Sequence, residues 1–96
     1  MIMDNKDDKS FEDVFGSKAR LRILKLLAKN SELSISQIIK MSGLNHSTAT
    51  KHLNYLIALD IVQLKQFGRI RIYRYKAENV KASSLKRFIE IWEGEF

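Results

Sequence analysis

The sequence contains no cysteine and only two histidines, His46 and His52. The absence of cysteine excludes disulfide bonds and thiolate metal sites, and two histidines are too few for a site built from imidazoles alone. We therefore expect neither a bound metal nor another cofactor.

The chain also lacks an apolar run long enough to span a membrane, and its polar N-terminal end has no signal-peptide core. These absences predict a cytoplasmic protein without a membrane partner. No nucleophile stands beside a credible base and orienting acid, and the four glycines are dispersed rather than gathered in a phosphate-binding loop. The sequence therefore does not predict an enzyme.

What remains is a basic chain of 96 residues with a formal net charge of +6, long enough for one modest domain. Five of the eleven acidic residues lie among the first thirteen, and residues 14–96 carry 15 basic and 6 acidic side chains, a net charge of +9. We expect residues 1–9 to form a disordered acidic tail and residues 10–96 to form the domain. A basic domain favours an anionic partner, with nucleic acid ahead of a membrane surface.

Residues 45–60 organise the domain, because Asn45 is a strong cap for a helix predicted over residues 46–59. At 3.6 residues per turn the two sides of this helix differ in kind. The apolar side contains Ala49, Leu53, Leu56 and Ile57, and the opposite side contains Ser47, Thr50, Lys51, Asn54 and Ala58. Hydroxyls, an amide and an ammonium offer the donors that base edges and phosphates accept, which is typical of a DNA-recognition helix. Taken alone, the stretch is equally consistent with a solvated helix face.

Three helices are predicted before it, each with a capping residue: Ser10 for residues 11–15, Ser17 for residues 18–29, and Ser34, with Gln37 completing a capping box, for a third. Residues 33–35 are too short a run to assign firmly as a strand. Gly43 suits the left-handed C-cap of the third helix. Because only a few residues separate that helix from residue 46, the pair forms a helix-turn-helix pattern.

After residue 60 the pattern changes to strand type, with runs over residues 61–66 and 69–75. Gly68 between the runs predicts a β-hairpin. In the second strand we expect Ile70 and Ile72 to face the core. The hairpin has no acid, which fits contact with phosphates or a minor groove. Its five cations are Lys65, Arg69, Arg71, Arg74 and Lys76.

Asn79 or Ser83 caps a last helix, predicted to end near residue 93. Its broad apolar side consists of Leu85, Phe88, Ile89, Trp92 and Phe96. So large a stripe is more than a small domain easily covers, which predicts a two-fold dimer interface formed by residues 10–16 and 79–96. Phe11 and Phe15 either join this interface or pack against the stripe within one chain.

The predicted fold is mainly α with a small β-hairpin (α+β), a winged helix-turn-helix in the order α-α-(β)-α-α-β-β-α. Residues 16–27, 45–53 and 68–75 resemble, in order and spacing, the ArsR-like branch of prokaryotic transcription regulators. The resemblance implies a two-fold dimer that reads DNA. The residues it implies are Ser47, Thr48, Thr50 and Lys51 for the major groove and Arg69 and Arg71 for the wing.

His46, near the helix start, and Asn54 are further expected DNA contacts, whereas His52, where this family often has histidine, is expected in a hydrogen-bonded supporting role. Metal sensors of the family have Glu-Leu-Cys-Val-Cys-Asp where this chain has Glu-Leu-Ser-Ile-Ser-Gln at residues 32–37. Hydroxyls do not replace thiolates as soft-metal ligands, so the resemblance does not extend to metal sensing. Ser36 and Gln37, near a helix N-terminus, are instead candidates to hold a phosphate.

These patterns predict a homodimeric, sequence-specific regulator that binds double-stranded DNA, with residues 46–59 in the major groove and residues 65–76 on the flanking backbone or minor groove. One alternative is an architectural protein that binds DNA without sequence preference. Another is a winged helix that serves as a protein-interaction module.

Overall fold

The computed structural model describes residues 11–94, which fold as five helices and a three-stranded sheet. The elements are α1 (Phe11–Phe15), α2 (Lys18–Asn30), β1 (Glu32–Ser34), α3 (Ile35–Ser42), α4 (His46–Ala58), β2 (Val62–Phe67), β3 (Ile70–Tyr75) and α5 (Val80–Glu93). This order confirms the predicted winged helix-turn-helix, including the short strand before the third helix. The predicted acidic tail, the cap at Ser10 and the apolar Phe96 lie outside the described residues. Within residues 11–94, no helix is long and apolar enough to cross a membrane.

Short polar side chains begin the helices where the sequence predicts them. The Ser17 hydroxyl accepts a hydrogen bond from the Arg20 backbone N–H at 3.1 Å. Asn45 Oδ1 accepts one from the Thr48 backbone N–H at 2.8 Å. Asn79, rather than Ser83, caps α5. Each cap satisfies an amide that the helix leaves unpaired, which is worth about 1 kcal/mol.

The helix-turn-helix consists of α3, a short turn and α4. Ser34 and Gln37 form the predicted capping box: Ser34 Oγ accepts from the Gln37 N–H at 3.1 Å, and Gln37 Oε1 accepts from the Ser34 N–H at 2.8 Å. Gly43 ends α3 in the left-handed conformation, with φ of +76°, and its N–H donates to the Ile39 carbonyl at 3.0 Å. Glycine adopts this conformation at little cost, so the turn into Asn45 needs no strain.

The second helix, α2, lies at the centre of the core. It contacts every other helix as well as β1 and β3. Its Ile23, Leu24 and Leu27 are buried. The apolar side of α4 is buried too, since Ala49, Leu53 and Leu56 have no exposed surface. The opposite side of α4 is thereby directed toward solvent.

The sheet is antiparallel, with strand order β1-β3-β2. In the β2–β3 hairpin, Val62 pairs with Tyr75 at the base and Phe67 pairs with Ile70 at the tip. Leu33 of β1 pairs with Tyr73 of β3. Because β1 lies between α2 and α3 in the chain, this pairing attaches the hairpin to the helix-turn-helix.

The expectation that Ile70 and Ile72 face the core is wrong. Tyr73 and Tyr75 are buried instead, at 1% and 3% exposure, whereas Ile70 is 59% exposed. Helices cover only the base of the hairpin, and the Tyr75 hydroxyl finds an acceptor there, the Ala82 carbonyl at 2.6 Å. Burial raises the pKa of Tyr75. The prediction assigned the core face of β3 from apolarity alone and so chose the isoleucines. A tyrosine such as Tyr75 is readily buried once its hydroxyl is hydrogen-bonded.

Candidate nucleic-acid interface

The polar side of α4 is exposed over most of its length. Ser47, Lys51 and Asn54 are all exposed, and we call these three residues the α4 ridge. Their spacing of four and three places a hydroxyl, an ammonium and an amide in one row along the helix. Lys51 forms no ion pair within residues 11–94. The ridge therefore offers hydrogen-bond donors and one uncompensated positive charge.

The other predicted contacts around the α4 ridge differ in exposure. His46, the first residue of α4, is exposed, as are Ser36 and Gln37 in the first turn of α3. Gln37 Oε1 is engaged in the capping box. Thr48 is half-buried. Exposure permits DNA contact at the first three positions, and the roles of all four stay predictions.

Thr50 does not present its hydroxyl beside the ridge. The residue is half-buried, and its Oγ1 atom is buried without a hydrogen-bond partner in the described part of the chain. The prediction of an outward Thr50 hydroxyl is wrong because helical periodicity fixes the direction of Cβ, whereas the χ1 rotamer decides which branch of threonine faces solvent. The exposed surface of Thr50 belongs to its other atoms.

His52 lies on the buried side of α4, not on its exposed side. It is 8% exposed, which agrees with a supporting role and not with base contact. The predicted hydrogen bond is not formed at Nδ1, which is buried without a partner among residues 11–94. Burial, followed by the positive charges of Arg20 and Lys51, lowers the pKa of His52, because each of these disfavours the imidazolium.

Arg20 of α2 supports α4 in a way that the sequence did not indicate. Its guanidinium carbon lies 3.7 Å from the centroid of the Tyr55 ring of α4. The same guanidinium donates a hydrogen bond to the Asp13 carbonyl of α1. A cation–π contact of this kind stabilises by about 0.5–2 kcal/mol. No local pattern reports a contact between residues so distant in the chain.

Asp60, immediately after α4, joins three elements and was also missed. It has a left-handed backbone conformation, with φ of +63°. Its carboxylate accepts hydrogen bonds from Lys76 Nζ at 2.7 Å and Asn79 Nδ2 at 3.1 Å, and these bonds lower its pKa. The residue thus ties the end of α4 to the base of the hairpin and the start of α5. An aspartate between a helix and a strand is a signal for such a turn.

The five cations of the hairpin region fall into two groups. Lys65, Arg74 and Lys76 form ion pairs with Glu32, Glu78 and Asp60 at 2.6, 2.7 and 2.7 Å. Arg69 and Arg71 form no ion pair among the described residues. We call residues 67–71 the wing tip. The uncompensated charge of the hairpin is therefore concentrated at the wing tip.

The terminal helices leave aromatic surface exposed. Phe88 and Trp92 of α5 are 51% and 77% exposed, and Phe11 of α1 is 71% exposed. The other predicted interface residues, Phe15, Leu85 and Ile89, are half-buried and line a groove of about 400 Å³ between α2 and α5. Phe11 and Phe15 stack on each other, with ring centroids 4.5 Å apart. Packing within the described part of the chain therefore leaves Phe88 and Trp92 largely uncovered.

A helix-turn-helix whose second helix has an exposed polar side, followed by a β-hairpin, defines the winged helix-turn-helix class of DNA-binding domains. Known proteins agree with this class. Residues 17–63 match the family described as "Bacterial regulatory protein, arsR family". An uncharacterized HTH-type transcriptional regulator of Methanocaldococcus jannaschii is 36% identical over 67 residues, 70% of this chain and 75% of that protein.

Crystal structures show the same fold. NolR from Sinorhizobium fredii superposes with a TM-score of 0.72 at 21% identity, over 90% of this chain and 83% of NolR. The transcriptional repressor PagR of Bacillus anthracis superposes with a TM-score of 0.68 at 24% identity, over 88% of this chain and 93% of PagR. The chain belongs to the ArsR family of winged helix-turn-helix transcriptional regulators, as the resemblance implied.

Proposed function

We propose that this regulator binds a specific, near-palindromic site in double-stranded DNA as a homodimer. In the complex, α4 enters the major groove and the wing contacts the flanking backbone or minor groove. Two α4 helices related by a two-fold axis engage successive major grooves about 34 Å apart. A protein that binds this DNA would act in the cytoplasm. DNA binding itself requires no catalytic residue, metal or cofactor.

The observation that carries the proposal is the exposed α4 ridge. A row that combines the Ser47 hydroxyl, the Lys51 ammonium and the Asn54 amide, with no acid paired to Lys51 in the described part of the chain, matches the acceptors of base edges and phosphates. His46 and Thr48 lie beside the row at the start of α4. Their contacts with bases or adjacent phosphates are part of the proposal.

The remaining contacts position the protein on the duplex. Ser36 and Gln37, exposed in the first turn of α3, hold a backbone phosphate near the helix N-terminus. Arg69 and Arg71, without ion pairs among residues 11–94, contact phosphates or the minor groove. Exposure of Phe88 and Trp92 supports dimerisation through the terminal helices, because a second copy would cover both rings.

Salt-dependent DNA titration of single variants tests this assignment. A duplex selected from random sequences by the full chain serves as the specific site, and a scrambled duplex serves as the competitor. Lys51→Ala and Arg69→Ala should each lower affinity and reduce the slope of log K against log salt by about 1, since each removes one phosphate contact. Lys29→Ala, which removes an exposed cation of α2 outside the proposed DNA and dimer contacts, is the matched control.

Three results would contradict parts of the proposal. Unchanged salt slopes for both variants would remove the phosphate role of Lys51 and Arg69. Equal affinity for selected and scrambled duplexes would favour an architectural protein over a specific regulator. A monomer on gel filtration without affinity for any duplex would favour a protein-interaction module.

A further inference from the structure

Two large apolar side chains project from the wing tip into solvent. Phe67 and Ile70 form the last cross-strand pair of the hairpin and are 62% and 59% exposed. Only Gly68 and Arg69 separate them, and Gly68 makes the turn with φ of +62°. The tip is therefore an apolar pair divided by an arginine.

The position of this pair excludes a role in the core. Residues that pair across antiparallel strands lie on one face of a sheet, and this pair shares its face with Lys65 and Arg74, which form ion pairs at the surface. The opposite face carries the buried Tyr73 and Tyr75. Because Phe67 and Ile70 keep most of their surface in solvent, their pairing contributes little to folding, and the exposed pair favours a contact with another molecule.

Charge around the pair identifies the chemistry of that molecule. Arg69 lies between the two apolar residues and Arg71 follows them, and neither has an ion pair among residues 11–94. Two tips from separate copies would bring these arginines together, which disfavours self-association. A DNA minor groove can bind both the arginines and the apolar pair, because its phosphates attract arginine and its base steps accept apolar wedges.

We propose that Phe67 and Ile70 form an apolar wedge that enters the minor groove beside the α4 site and partly unstacks one base step. Arg69 and Arg71 hold the phosphates on either side. The DNA kinks at that step toward its own major groove, away from the wedge. This inference rests on the proposed function, which requires only that the wing lie on the flanking DNA.

Fluorescence of 2-aminopurine tests the wedge, since this base brightens when it is unstacked. The base is placed in turn at each flanking position of the selected duplex, and the bend is measured by energy transfer between the duplex ends. The full chain should brighten one flanking position on each side and bend the duplex by about 20° or more. Pyrimidine–purine steps should bind more tightly there than A-tracts, because they unstack more easily.

The double variant F67A/I70A should lose the brightening and the bend and lower affinity about tenfold. Its salt slope should match that of the wild-type chain, since Arg69 and Arg71 remain. Met41→Ala, which removes an exposed apolar side chain from the last turn of α3, outside the proposed DNA and dimer contacts, is the matched control and should change neither signal. Thermal unfolding of both variants should match the wild type, because all three side chains are exposed.

The wedge is contradicted if the wild-type chain binds the duplex without brightening any flanking base, or if F67A/I70A brightens and bends it equally. A wild-type assembly larger than a dimer that F67A/I70A abolishes would assign the pair to a second copy instead. Binding without unstacking overturns the wedge alone, whereas failure to bind any duplex overturns the proposed function as well.

Discussion

The α4 side and the α5 end of this domain both expose unpartnered groups, but of opposite chemistry. On the α4 side the exposed groups are the hydroxyl, ammonium and amide of the ridge. At the α5 end they are the rings of Phe88 and Trp92. Polar donors suit a hydrated, anionic surface, whereas aromatic rings gain most from complete removal from water.

The two regions also differ in how firmly the chain fixes them. The α3–α4 turn is fixed by the capping box, by Gly43 and by the Asn45 cap, and Asp60 ties the end of α4 to the hairpin. Among residues 11–94, the outer end of α5 forms one ion pair with α2, between Lys25 and Glu93 at 3.4 Å, and both side chains are exposed. Such exposed pairs contribute little. We infer that the α4 side is preorganised for its ligand, whereas the α5 end depends on a partner.

The largest expected effect comes from removing the aromatic surface of α5. The double variant F88A/W92A should convert the proposed dimer to a monomer and lower affinity for the selected duplex about a hundredfold, because each subunit then binds one half-site alone. Folding of the monomer should survive, since both rings are largely exposed. Gel filtration with light scattering and DNA titration measure the two effects.

Met41→Ala is the matched control, because it truncates an exposed apolar side chain of α3, outside residues 10–16 and 79–96. It should remain dimeric. A double variant that stays a dimer with wild-type affinity would place the dimer interface elsewhere and remove the contrast between the two regions.

Local signals explain how much of the fold the sequence could predict. Caps at Ser17, Ser34 and Asn45 and the left-handed Gly43 set helix boundaries through hydrogen bonds within a few residues, so reading them needs no tertiary information. Periodicity likewise predicted which residues of α4 are exposed, with Thr50 as the exception.

The errors arose where tertiary packing decides. The burial of Tyr75 on β3 depends on an acceptor from α5, the Ala82 carbonyl. The pairing of Lys65 with Glu32 depends on β1 joining the sheet. The sequence therefore showed that the hairpin is basic, but the concentration of uncompensated charge at its tip required the structure.

A smaller effect concerns His52, which is on the buried side of α4. Its pKa lies below the usual value of about 6.5. Above that pH the imidazole is neutral in both the folded and the unfolded chain. As the pH falls below it, the unfolded chain takes up the proton first, so stability decreases until the folded state is protonated too. The slope is at most about 1.4 kcal/mol per pH unit.

Urea unfolding at pH 7.5 and at pH 5.5 measures this loss. His52→Gln should reduce the difference between the two pH values, because it removes the group that titrates. His46→Gln removes the exposed histidine at the start of α4 and is the matched control. An equal pH dependence in His52→Gln and the wild type would exclude His52 as its source and would locate acid sensitivity away from α4.

The smallest expected effect concerns the buried hydroxyl of Thr50 on α4. Thr50→Val keeps the shape of the side chain and removes a hydroxyl that is buried without a partner in the described residues. Because an unsatisfied buried hydroxyl costs about 1–3 kcal/mol, the variant should be more stable by about 1 kcal/mol, measured by urea unfolding. DNA affinity should change less than about twofold, since the lost hydroxyl is not on the ridge.

Ser47→Ala provides the matched comparison, because it removes a hydroxyl that is exposed on the same helix. It should leave stability nearly unchanged and weaken DNA binding. The opposite pattern for Thr50→Val, with reduced affinity and no gain in stability, would mean that the Thr50 hydroxyl rotates outward to meet the DNA. The α4 side would then adapt to its ligand, and rigidity would no longer distinguish it from the α5 end.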